Sequence, residues 1–364
     1  MQTLETYEKA FAALPSSLRS EQRQAAFDHF MSKGLPTRQS ESWKYTDLSR
    51  LKSLAPDISL IKNDVSLELS SDADAIESLN AAFCSGGLDE VVTSDTPSGQ
   101  VVLASGAGHR RHRIRVAANV SAVIALDIDP AADFQTVLLD LHLEAGSKVY
   151  LHRFHKASSS SRHITRVRAS LDRDSLLDAS TIDLGGMLSR HELNVDLVGP
   201  SSEVRLRSLF VCSDKEHIDN QTRFDHRAPH CTSYENIRGM ARDTSRGVFN
   251  GRIVVHPEGQ KTDSEQRIAS LILSPKAEID AKPELEIYAD DVKCAHGATF
   301  GQIDDKALFY LRSRGIPEAE ARALLTLAFA MEPLRKIPHD AFRQSMIAHV
   351  VKHLGANIDD TVLA

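Results

Sequence analysis

One residue separates Cys294 from His296 in the stretch DVKCAHGAT, residues 291–299. Thiolate and imidazole groups are ligands that suit zinc, copper and the iron of iron–sulfur clusters. In an extended chain, residues two apart project from the same face, so both side chains can reach one site. Two ligands make an incomplete shell, so the remaining donors must come from neighbouring segments or from a second subunit. On spacing alone, a buried cysteine beside a hydrogen-bonded histidine is the more frequent arrangement.

Asp290 and Asp291 form an acidic pair just before this stretch. Acidic pairs on β-helices can hold Ca²⁺ in enzymes that cleave polysaccharides. Adjacent residues of a strand point to opposite faces, however, so this pair does not converge on one ion. We therefore expect an exposed turn here. A carbohydrate-active β-helix protein stays open as an alternative function, although such enzymes are usually secreted.

The sequence lacks the common catalytic motifs. It contains no G-x-x-x-x-G-K-[ST], no G-x-S-x-G and no H-E-x-x-H, which mark phosphate-binding loops, hydrolase nucleophiles and zinc proteases. The stretch SGAGHR offers Gly106 and Gly108, but Arg111 occupies the third glycine position of a dinucleotide fingerprint. The four cysteines lie far apart, which argues against a zinc finger or a disulfide framework. We expect a protein without a catalytic apparatus of its own.

Composition and charge exclude several classes of partner. The 364 residues carry a formal net charge of −7 with acids and bases mixed along the chain, so no basic stripe is available to neutralise nucleic-acid phosphates. No apolar run approaches the roughly 20 residues of a membrane helix. The beginning, MQTLETYEKAFAALP, lacks the basic and apolar regions of a signal peptide. These features predict a soluble, cytoplasmic protein that binds neither nucleic acid nor membrane.

The elements that position these residues fall into three predicted domains. Residues 1–100 are expected to be mainly helical, because Leu4, Tyr7 and Phe11 recur at the spacing of one buried helix face. Residues 101–303 consist of short alternating runs such as KVYLHRF and EVRLRSLFV, which are typical of β-strands. Helical periodicity returns over residues 304–364.

A repeat in the middle segment predicts how its strands are arranged. An apolar residue, a polar turn and a strand recur from Leu143, Leu171 and Leu197, about 25 to 28 residues apart, and again from Leu273. One such unit cannot bury its own face, so the units must stack. The segment is about twice as long as a β-sandwich. We therefore predict a mainly β protein with a parallel β-helix core, or solenoid, between N-terminal and C-terminal α-helical domains.

Other features of the sequence carry simpler expectations. The only tryptophan, Trp43, is expected to anchor the N-terminal helical layer to the neighbouring domain. The histidine-rich runs HRRHR, residues 109–113, and HRFH, residues 152–155, are expected to be solvated or to lie on edge strands. The amphipathic C-terminal helices can either cap the solenoid or dock into another protein. Both alternatives need the same apolar stripe, so the sequence leaves them open.

Two blocks near the end of the strand-rich segment are the most distinctive in the chain. They read RDTSRGVFNGRIVVHPEGQKTDSEQ, residues 242–266, and KPELEIYADDVKCAHGATFGQIDDKALFYLRSRGI, residues 282–316. Both closely resemble the SufD family of iron–sulfur cluster assembly scaffold subunits, and the SWKYTDL around Trp43 is similar to its N-terminal signature. The paralogous SufB family reads more like H-E-A-T at the Cys-x-His position. The pattern therefore favours SufD, with a SufB-type protein as the alternative.

The resemblance implies a non-enzymatic scaffold subunit of a SufBCD complex, with a right-handed parallel β-helix as its core. In that family the β-helix pairs with a SufB-like subunit, and the C-terminal helices bind a SufC-like ATPase of the ABC type. His296 matches a histidine implied to help hold a transient iron–sulfur cluster at the SufB interface, with Cys294 as its less favoured neighbour. The region implied to bind the ATPase comprises Asp304, Leu308, Tyr310, Leu311, Arg312, Arg314 and Gly315.

The same resemblance assigns turn and interface structure, without chemistry, to Arg246, Gly247, Asn250 and Gly251. Glycines at such positions permit a close approach of the backbone. Three points stay open at the level of sequence: the type of cluster, the participation of a reduced flavin in the complex, and the formation of a homodimer by the isolated chain.

Overall fold

The computed structural model describes residues 4–54, 65–96, 100–105, 108–128, 133–156, 158 and 160–355. Helices lie at both ends of the chain, and a long series of strands lies between them. Gly106, part of the discounted nucleotide motif, lies outside the described residues. The helices are α1 (Glu5–Ala12), α2 (Glu21–Lys33), α3 (Ala75–Ala82), α4 (Asp305–Ser313), α5 (Glu318–Leu334) and α6 (Asp340–Leu354).

The strands form two parallel sheets. The first sheet contains β1 (Cys84–Gly86), β2 (Asp89–Val92), β4 (His109–Val116), β6 (Phe134–Leu143), β8 (Arg162–Leu171), β10 (Leu188–Leu197), β12 (His217–His226), β14 (Arg246–Val255) and β16 (Glu278–Ile287). The second sheet contains β3 (Gln100–Ser105), β5 (Ser121–Ile128), β7 (Lys148–Lys156), β9 (Leu176–Leu184), β11 (Glu203–Cys212), β13 (Thr232–Ala241), β15 (Asp263–Ile272) and β17 (Lys293–Gly301).

From β3 onward the chain passes alternately from one sheet to the other. Strand β6 therefore pairs with β8 and β8 with β10, while β7 pairs with β9 and β9 with β11, all in parallel. Each coil contributes one strand to each sheet and stacks on the preceding coil. This arrangement is a parallel β-solenoid with helices at both ends of the chain, which confirms the predicted fold class.

The stacking explains the sequence repeat and corrects one of its members. Leu143, Leu171 and Leu197 end β6, β8 and β10, where they lie in register and are completely buried. Leu273, by contrast, follows β15 of the second sheet, so it belongs to the other half of a coil. The assignment of Leu273 as a fourth copy of the same repeat was therefore wrong, because it precedes the opposite change of sheet. The same combination of apolar residue and polar turn serves both changes of sheet, and the sequence does not distinguish them.

The turns between the sheets also stack on one another. Gly146, Asp174, Ser201 and His230 adopt left-handed backbone conformations with φ between 56° and 70°. The backbone N–H of each donates to a carbonyl in the turn of the next coil, at distances of 2.9 to 3.1 Å. The turns thus continue the inter-strand hydrogen bonding around the corner of the solenoid.

Inward side chains from both sheets form one long core, which is not entirely apolar. Along β7, Val149 and Leu151 join the main apolar cluster, while Arg153 and His155 continue the inward row. Both polar residues are fully buried beside Asp183, at 2.7 Å from Arg153 Nη1 and 3.3 Å from His155 Nδ1. HRFH was therefore wrongly expected to be solvated, because β7 is an interior strand.

The other histidine-rich run is buried as well. His109 and His112 of HRRHR lie on β4, and less than 4% of either residue is exposed. In HRFH, the outward-facing His152 lies beneath α6, with its Nε2 3.1 Å from Nδ1 of His339 and its ring stacked on Phe342. Because successive side chains of a strand point to opposite faces, about half of each run lies inside the solenoid. The helical layers cover much of the rest.

The N-terminal helices cover the outer face of the first sheet. Their apolar cluster includes Tyr7 and Phe30 together with Ile164 and Leu188 of the sheet. Trp43 is buried, with the guanidinium of Arg190 3.9 Å from the centre of its ring. The expectation that Trp43 anchors the helical layer to its neighbour is confirmed.

The C-terminal helices cover the outer face of the second sheet. Helix α5 packs against β11 and β13, and α6 packs against β9. Their cluster joins Leu327, Met331 and Val350 to outward residues of the sheet such as Leu209 and Met240. These helices lie along the side of the solenoid and do not cap its end.

The division into domains at residues 101 and 304 stays a prediction. Helices and strands follow the predicted order, and the first short strand begins at Cys84. None of the helices in the described part of the chain combines the length and apolar character needed to span a lipid bilayer.

Candidate interfacial site at the open end of the solenoid

The last coil of the solenoid is left uncovered. Among the described strands, β16 pairs only with β14, and β17 pairs only with β15. Most of β16 is half-buried, and β17 is exposed except at Cys294. Each strand therefore presents one edge of backbone N–H and C=O groups that no described strand covers. We call this end, formed by β16 and β17, the open end.

The two edges differ in composition. Strand β16 carries Lys282, Pro283 and Glu284 at its centre, and both charged residues and proline discourage the addition of another strand. Strand β17, KCAHGATFG, carries one charge, at Lys293, and no proline. The β17 edge is therefore the one better suited to accept a further strand.

Cys294 and His296 lie on β17 and face the same way. In the register between β15 and β17, Ser264 lies opposite Cys294 and Gln266 opposite His296. Ser264 and Gln266 are buried inward positions, since they alternate with outward residues and precede the core residue Ile268. Because paired residues of a sheet share a face, Cys294 and His296 also face the solenoid axis. The extended backbone expected from the Cys-x-His spacing is confirmed.

Cys294 and His296 differ in their surroundings. His296 is exposed. Cys294 is partly buried and packs against the cluster formed by Ile253, Val255 and Ala289. This burial, together with the nearby Asp263 carboxylate, raises the pKa of the Cys294 thiol. A protonated thiol is a poor metal ligand, so His296 is the better candidate of the two.

This chain alone does not assemble a complete metal shell at the open end. Within the described residues, no three His, Cys, Asp or Glu side chains converge to hold a metal ion. Asp290 and Asp291 lie in the bend between β16 and β17, and the Asp291 carboxylate pairs with Lys261. The exposed turn expected for the acidic pair is confirmed. His296 thus lies at the open end with an incomplete set of donors.

A polar row missed by the sequence analysis lies directly behind His296. Glu235 on β13 lies opposite Gln266 on β15, which lies opposite His296. Glu235 and Gln266 are completely buried, and Gln266 Nε2 donates to Glu235 Oε2. Burial raises the pKa of the Glu235 carboxyl to about 7. The polar residue types were visible in the sequence, but only the register of three successive coils brings them together.

Helix α4, which follows β17 in the chain, forms a second exposed feature. Its N-cap is Asp304, whose Oδ1 accepts from the Lys306 N–H at 2.8 Å. Leu308 is buried. The opposite face exposes Phe309 and Tyr310, at 72% and 56%, and Phe309 was missed by the sequence analysis. Two large aromatic side chains left in water are typical of a protein-binding surface.

The end of α4 is tied to the following helix by charged residues. Arg312 Nη1 lies 3.4 Å from Glu318 Oε2 of α5, and the Arg314 guanidinium lies 4.9 Å from the centre of the Tyr310 ring. Gly315 adopts φ +88°, a conformation that favours glycine, and ends the helix. Leu311 is half-buried. We call the exposed side of α4, with Phe309, Tyr310, Arg312 and Arg314, the α4 surface.

Comparison with protein families identifies the group to which this molecule belongs. The family model for the SUF system FeS cluster assembly SufBD core domain matches residues 101–329, and the model for the SufBD N-terminal region matches residues 2–76. This chain belongs to the SufBD family. The core match covers the strands from β4 onward and extends into α5, so it includes both the open end and α4.

Individual relatives within the SufBD family carry related names. The chain is 28% identical over 394 aligned residues to the iron–sulfur cluster assembly protein SufD of Escherichia coli, covering 92% of this chain and 93% of that protein. It is 34% identical to a SufBD family protein of Mycobacterium leprae, over 53% of this chain and 51% of the relative. It is 27% identical to SufD of Bacillus subtilis, over 53% and 44%. Membership of SufD, expected from the sequence blocks, is confirmed.

The glycine-containing block of this SufBD protein needs a correction. Arg246, Gly247, Asn250 and Gly251 lie within β14, not in a turn. The expected close approach is present: a Cβ on Gly247 would lie 2.5 Å from the ring of Phe210, and one on Gly251 would lie 2.2 Å from Gln266 Nε2. These glycines make room inside the solenoid for large side chains of the second sheet.

Proposed function

We propose that this SufD-family chain is a non-enzymatic scaffold subunit of a SufBCD-type complex. In this proposal the open end pairs with a SufB-like subunit, and the α4 surface binds a SufC-like ATPase. Family membership supports a role in iron–sulfur cluster assembly. The two features that point to partners are the uncovered edge of β17 and the exposed aromatic residues of α4.

The observation that carries the proposal is the inward-facing His296 on an uncovered edge strand. A second solenoid that pairs with β17 would bury its backbone edge and face His296 across the junction. The nascent cluster is the cargo of such a site. His296 would supply one ligand and the partner most of the others, with Cys294 as the weaker candidate from this chain.

The position of α5 supports a mechanical connection between the two partner sites. Glu332 of α5 accepts from Asn236 Nδ2 on β13 at 2.7 Å, and the Arg238 guanidinium lies 5.0 Å from the centre of the Phe329 ring. Helix α4 is joined to α5 by the Arg312–Glu318 pair. In our proposal, movement of an ATPase bound to α4 would reach the second sheet, and therefore β17, through α5.

One co-expression experiment tests both partner sites. The chain is produced with SufB-like and SufC-like subunits, and three variants are compared: His296→Ala, Phe309→Ala and His142→Ala. His142 is a partly exposed histidine on the side of the solenoid, paired with Asp172 at 3.6 Å. It controls for the loss of any surface histidine. Subunit recovery and anaerobic cluster content, from absorbance and iron and sulfide analysis, are measured.

We expect His296→Ala to leave all three subunits together while reducing the cluster content severalfold, because a ligand that contacts the metal is lost. Phe309→Ala should reduce recovery of the ATPase subunit but retain the SufB-like subunit, because the two sites lie on different elements. His142→Ala should match the unmodified chain. Full cluster content in His296→Ala would refute the ligand role, and full ATPase recovery in Phe309→Ala would refute the assignment of the α4 surface.

A further inference from the structure

Three inward positions in successive coils form a polar row that ends at His296. The row starts at Glu235 on β13, continues with Gln266 on β15 and reaches His296 on β17, each residue in register with the next. The adjacent inward positions of the same strands are apolar or small, with Ile237 and Ile268 next to the first two members. Burying a carboxyl and an amide in this position carries a cost in free energy unless their polar atoms are used.

Contacts on two sides restrain the Gln266 amide. Its Nε2 donates to Glu235 Oε2; above the Glu235 pKa of about 7 that carboxylate can only accept, so the nitrogen must face β13. Across the interior, Gly251 of β14 leaves the space into which the amide fits, since a Cβ there would lie 2.2 Å from Nε2. The amide is therefore held with its nitrogen on the Glu235 side.

The carbonyl oxygen of this amide is unused in the isolated chain. Gln266 Oε1 is buried and has no hydrogen-bond partner among the residues that the structure describes. An unpaired buried acceptor costs more free energy than a formed hydrogen bond returns. The next inward position beyond Gln266 is His296, whose imidazole carries the N–H that such an acceptor requires.

We propose that Gln266 is a positioning residue for His296: once a partner closes the open end, Gln266 Oε1 accepts the N–H of the His296 ring nitrogen nearer to β15. Glu235 acts one step behind, because its carboxylate fixes which end of the Gln266 amide faces His296. The two residues would thus fix both the tautomer and the direction of the ring.

The consequence for metal binding follows from the chemistry of imidazole. A neutral ring has one N–H and one lone pair, and metal-binding histidines usually donate the N–H to a second residue. If Gln266 holds the N–H on the inner side, the free lone pair lies on the nitrogen that faces the partner. This inference rests on the proposed ligand role of His296, but it concerns residues of this chain alone.

The test uses three variants of the full chain, each assembled with its SufB-like partner at about pH 8, above the Glu235 pKa of about 7. Gln266→Leu keeps the volume but removes the acceptor. Ser270→Ala, at another buried inward position of β15 whose Oγ also has no described partner, is the matched control. Glu235→Gln combined with Gln266→Glu exchanges the two groups, so that a carboxylate at position 266 can still accept from His296 while the new amide at 235 pairs with it.

The readout is the ¹³Cδ2 chemical shift of His296 in the histidine-labelled chain, because it distinguishes the two neutral tautomers; His296→Asn identifies the signal. We expect one tautomer in the unmodified pair, in Ser270→Ala and in the exchanged pair, and a mixture of both in Gln266→Leu. The same tautomer in Gln266→Leu as in the unmodified pair, or a mixture in a well-folded exchanged pair, would overturn the inference.

Cluster content separates this inference from the proposed function. If His296→Ala loses the cluster but Gln266→Leu leaves the tautomer unchanged, His296 is a ligand and Gln266 does not position it. If His296→Ala retains the cluster, the ligand role fails, and the proposed purpose of the row fails with it even where the tautomer depends on Gln266. If Gln266→Leu does not fold, a mixture of tautomers in the well-folded exchanged pair would still overturn the inference.

Discussion

Four residues of β15 and the four residues paired with them on β17 face the solenoid axis. The residues of β15 are buried, whereas most of those on β17 are exposed. On β15, Ser264, Gln266, Ile268 and Ser270 are at most 3% exposed. Their partners on β17 are Cys294, His296, Ala298 and Phe300, all exposed except the partly buried Cys294, and Phe300 is 51% exposed. The difference arises because another coil stacks on β15, whereas no strand in the described part of the chain stacks on the outer edge of β17.

The comparison shows that β17 has the backbone of an interior strand but not its environment. Soluble proteins usually protect such an edge with charges, proline or a covering element, and β16 has Lys282, Pro283 and Glu284. Strand β17 lacks this protection over most of its length and exposes an aromatic residue. Its inward positions are therefore best understood as half of a core that a partner completes.

The largest expected effect comes from truncating one large inward side chain on each of the two strands. Ile268→Ala on β15 should lower the free energy of unfolding by about 2–5 kcal/mol, since it creates a cavity in the main core. Phe300→Ala on β17 should change it by less than about 0.5 kcal/mol in the isolated chain, because the ring is half exposed. Denaturant titration of both variants measures the contrast.

Phe300 should matter much more for partner binding than for the stability of the isolated chain. If the open end is the interface, Phe300→Ala should weaken binding of the SufB-like subunit about tenfold or more, as expected for an aromatic anchor. Equal affinities for the variant and the unmodified chain, together with unchanged stability, would remove Phe300 from the interface.

An intermediate effect is expected from the buried carboxyl behind β17. The Glu235 pKa rises to about 7 on folding, from about 4.3 in an unfolded chain. Between these values the unfolded state releases the proton before the native state does, so stability falls as pH rises from about 4 to 7. The difference amounts to at most about 3–4 kcal/mol, at 1.36 kcal/mol per pKa unit.

Glu235→Gln removes this titration and keeps an oxygen that can accept from Gln266. The variant should match the unmodified chain near pH 4.5 and exceed it in the free energy of unfolding at pH 8. Urea unfolding of both proteins at several pH values measures the difference. Parallel pH profiles for the two proteins would show that Glu235 does not titrate in this range.

The smallest effect is expected from adding one methyl group to a glycine inside the closed part of the solenoid and to one on β17. A Cβ on Gly239 of β13 would lie 2.2 Å from the buried Phe210 ring, whereas one on Gly297 of β17 would meet nothing within 4 Å. Gly239→Ala should cost about 1–3 kcal/mol through overpacking, and Gly297→Ala should change stability by less than about 0.5 kcal/mol. Thermal unfolding of the two variants checks this order, which equal melting temperatures would contradict.

Much of the fold could be predicted from local patterns in the sequence. Alternating runs and the spacing of Leu143, Leu171 and Leu197 predicted stacked coils, because a repeat that cannot bury its own face must stack. The sequence did not reveal which change of sheet follows Leu273. Turns from the first sheet to the second and turns in the opposite direction use the same residue types. The burial of Arg153 and His155 was also missed, because the pairing with Asp183 that permits it joins different coils.

The candidate site was only partly accessible from the sequence. The shared face of Cys294 and His296 follows from spacing alone, because a strand repeats every two residues. The row behind His296 depends on register between strands about thirty residues apart, which no local pattern specifies. Phe309 was missed for a related reason: which aromatic face of a helix meets solvent depends on how the helix packs against its neighbours.

Among the described strands, the second sheet ends in the nine-residue β17 at the open end and in the six-residue β3 at the other end, and each of the two pairs with one strand only. A rod-shaped protein with complementary interfaces at its two ends associates head to tail into an open filament. A rod whose adhesive strand lies at a single end closes after one junction, because like ends meet about a two-fold axis and nothing remains to extend. Pairing of β17 with the corresponding strand of another solenoid would therefore end the assembly at a pair.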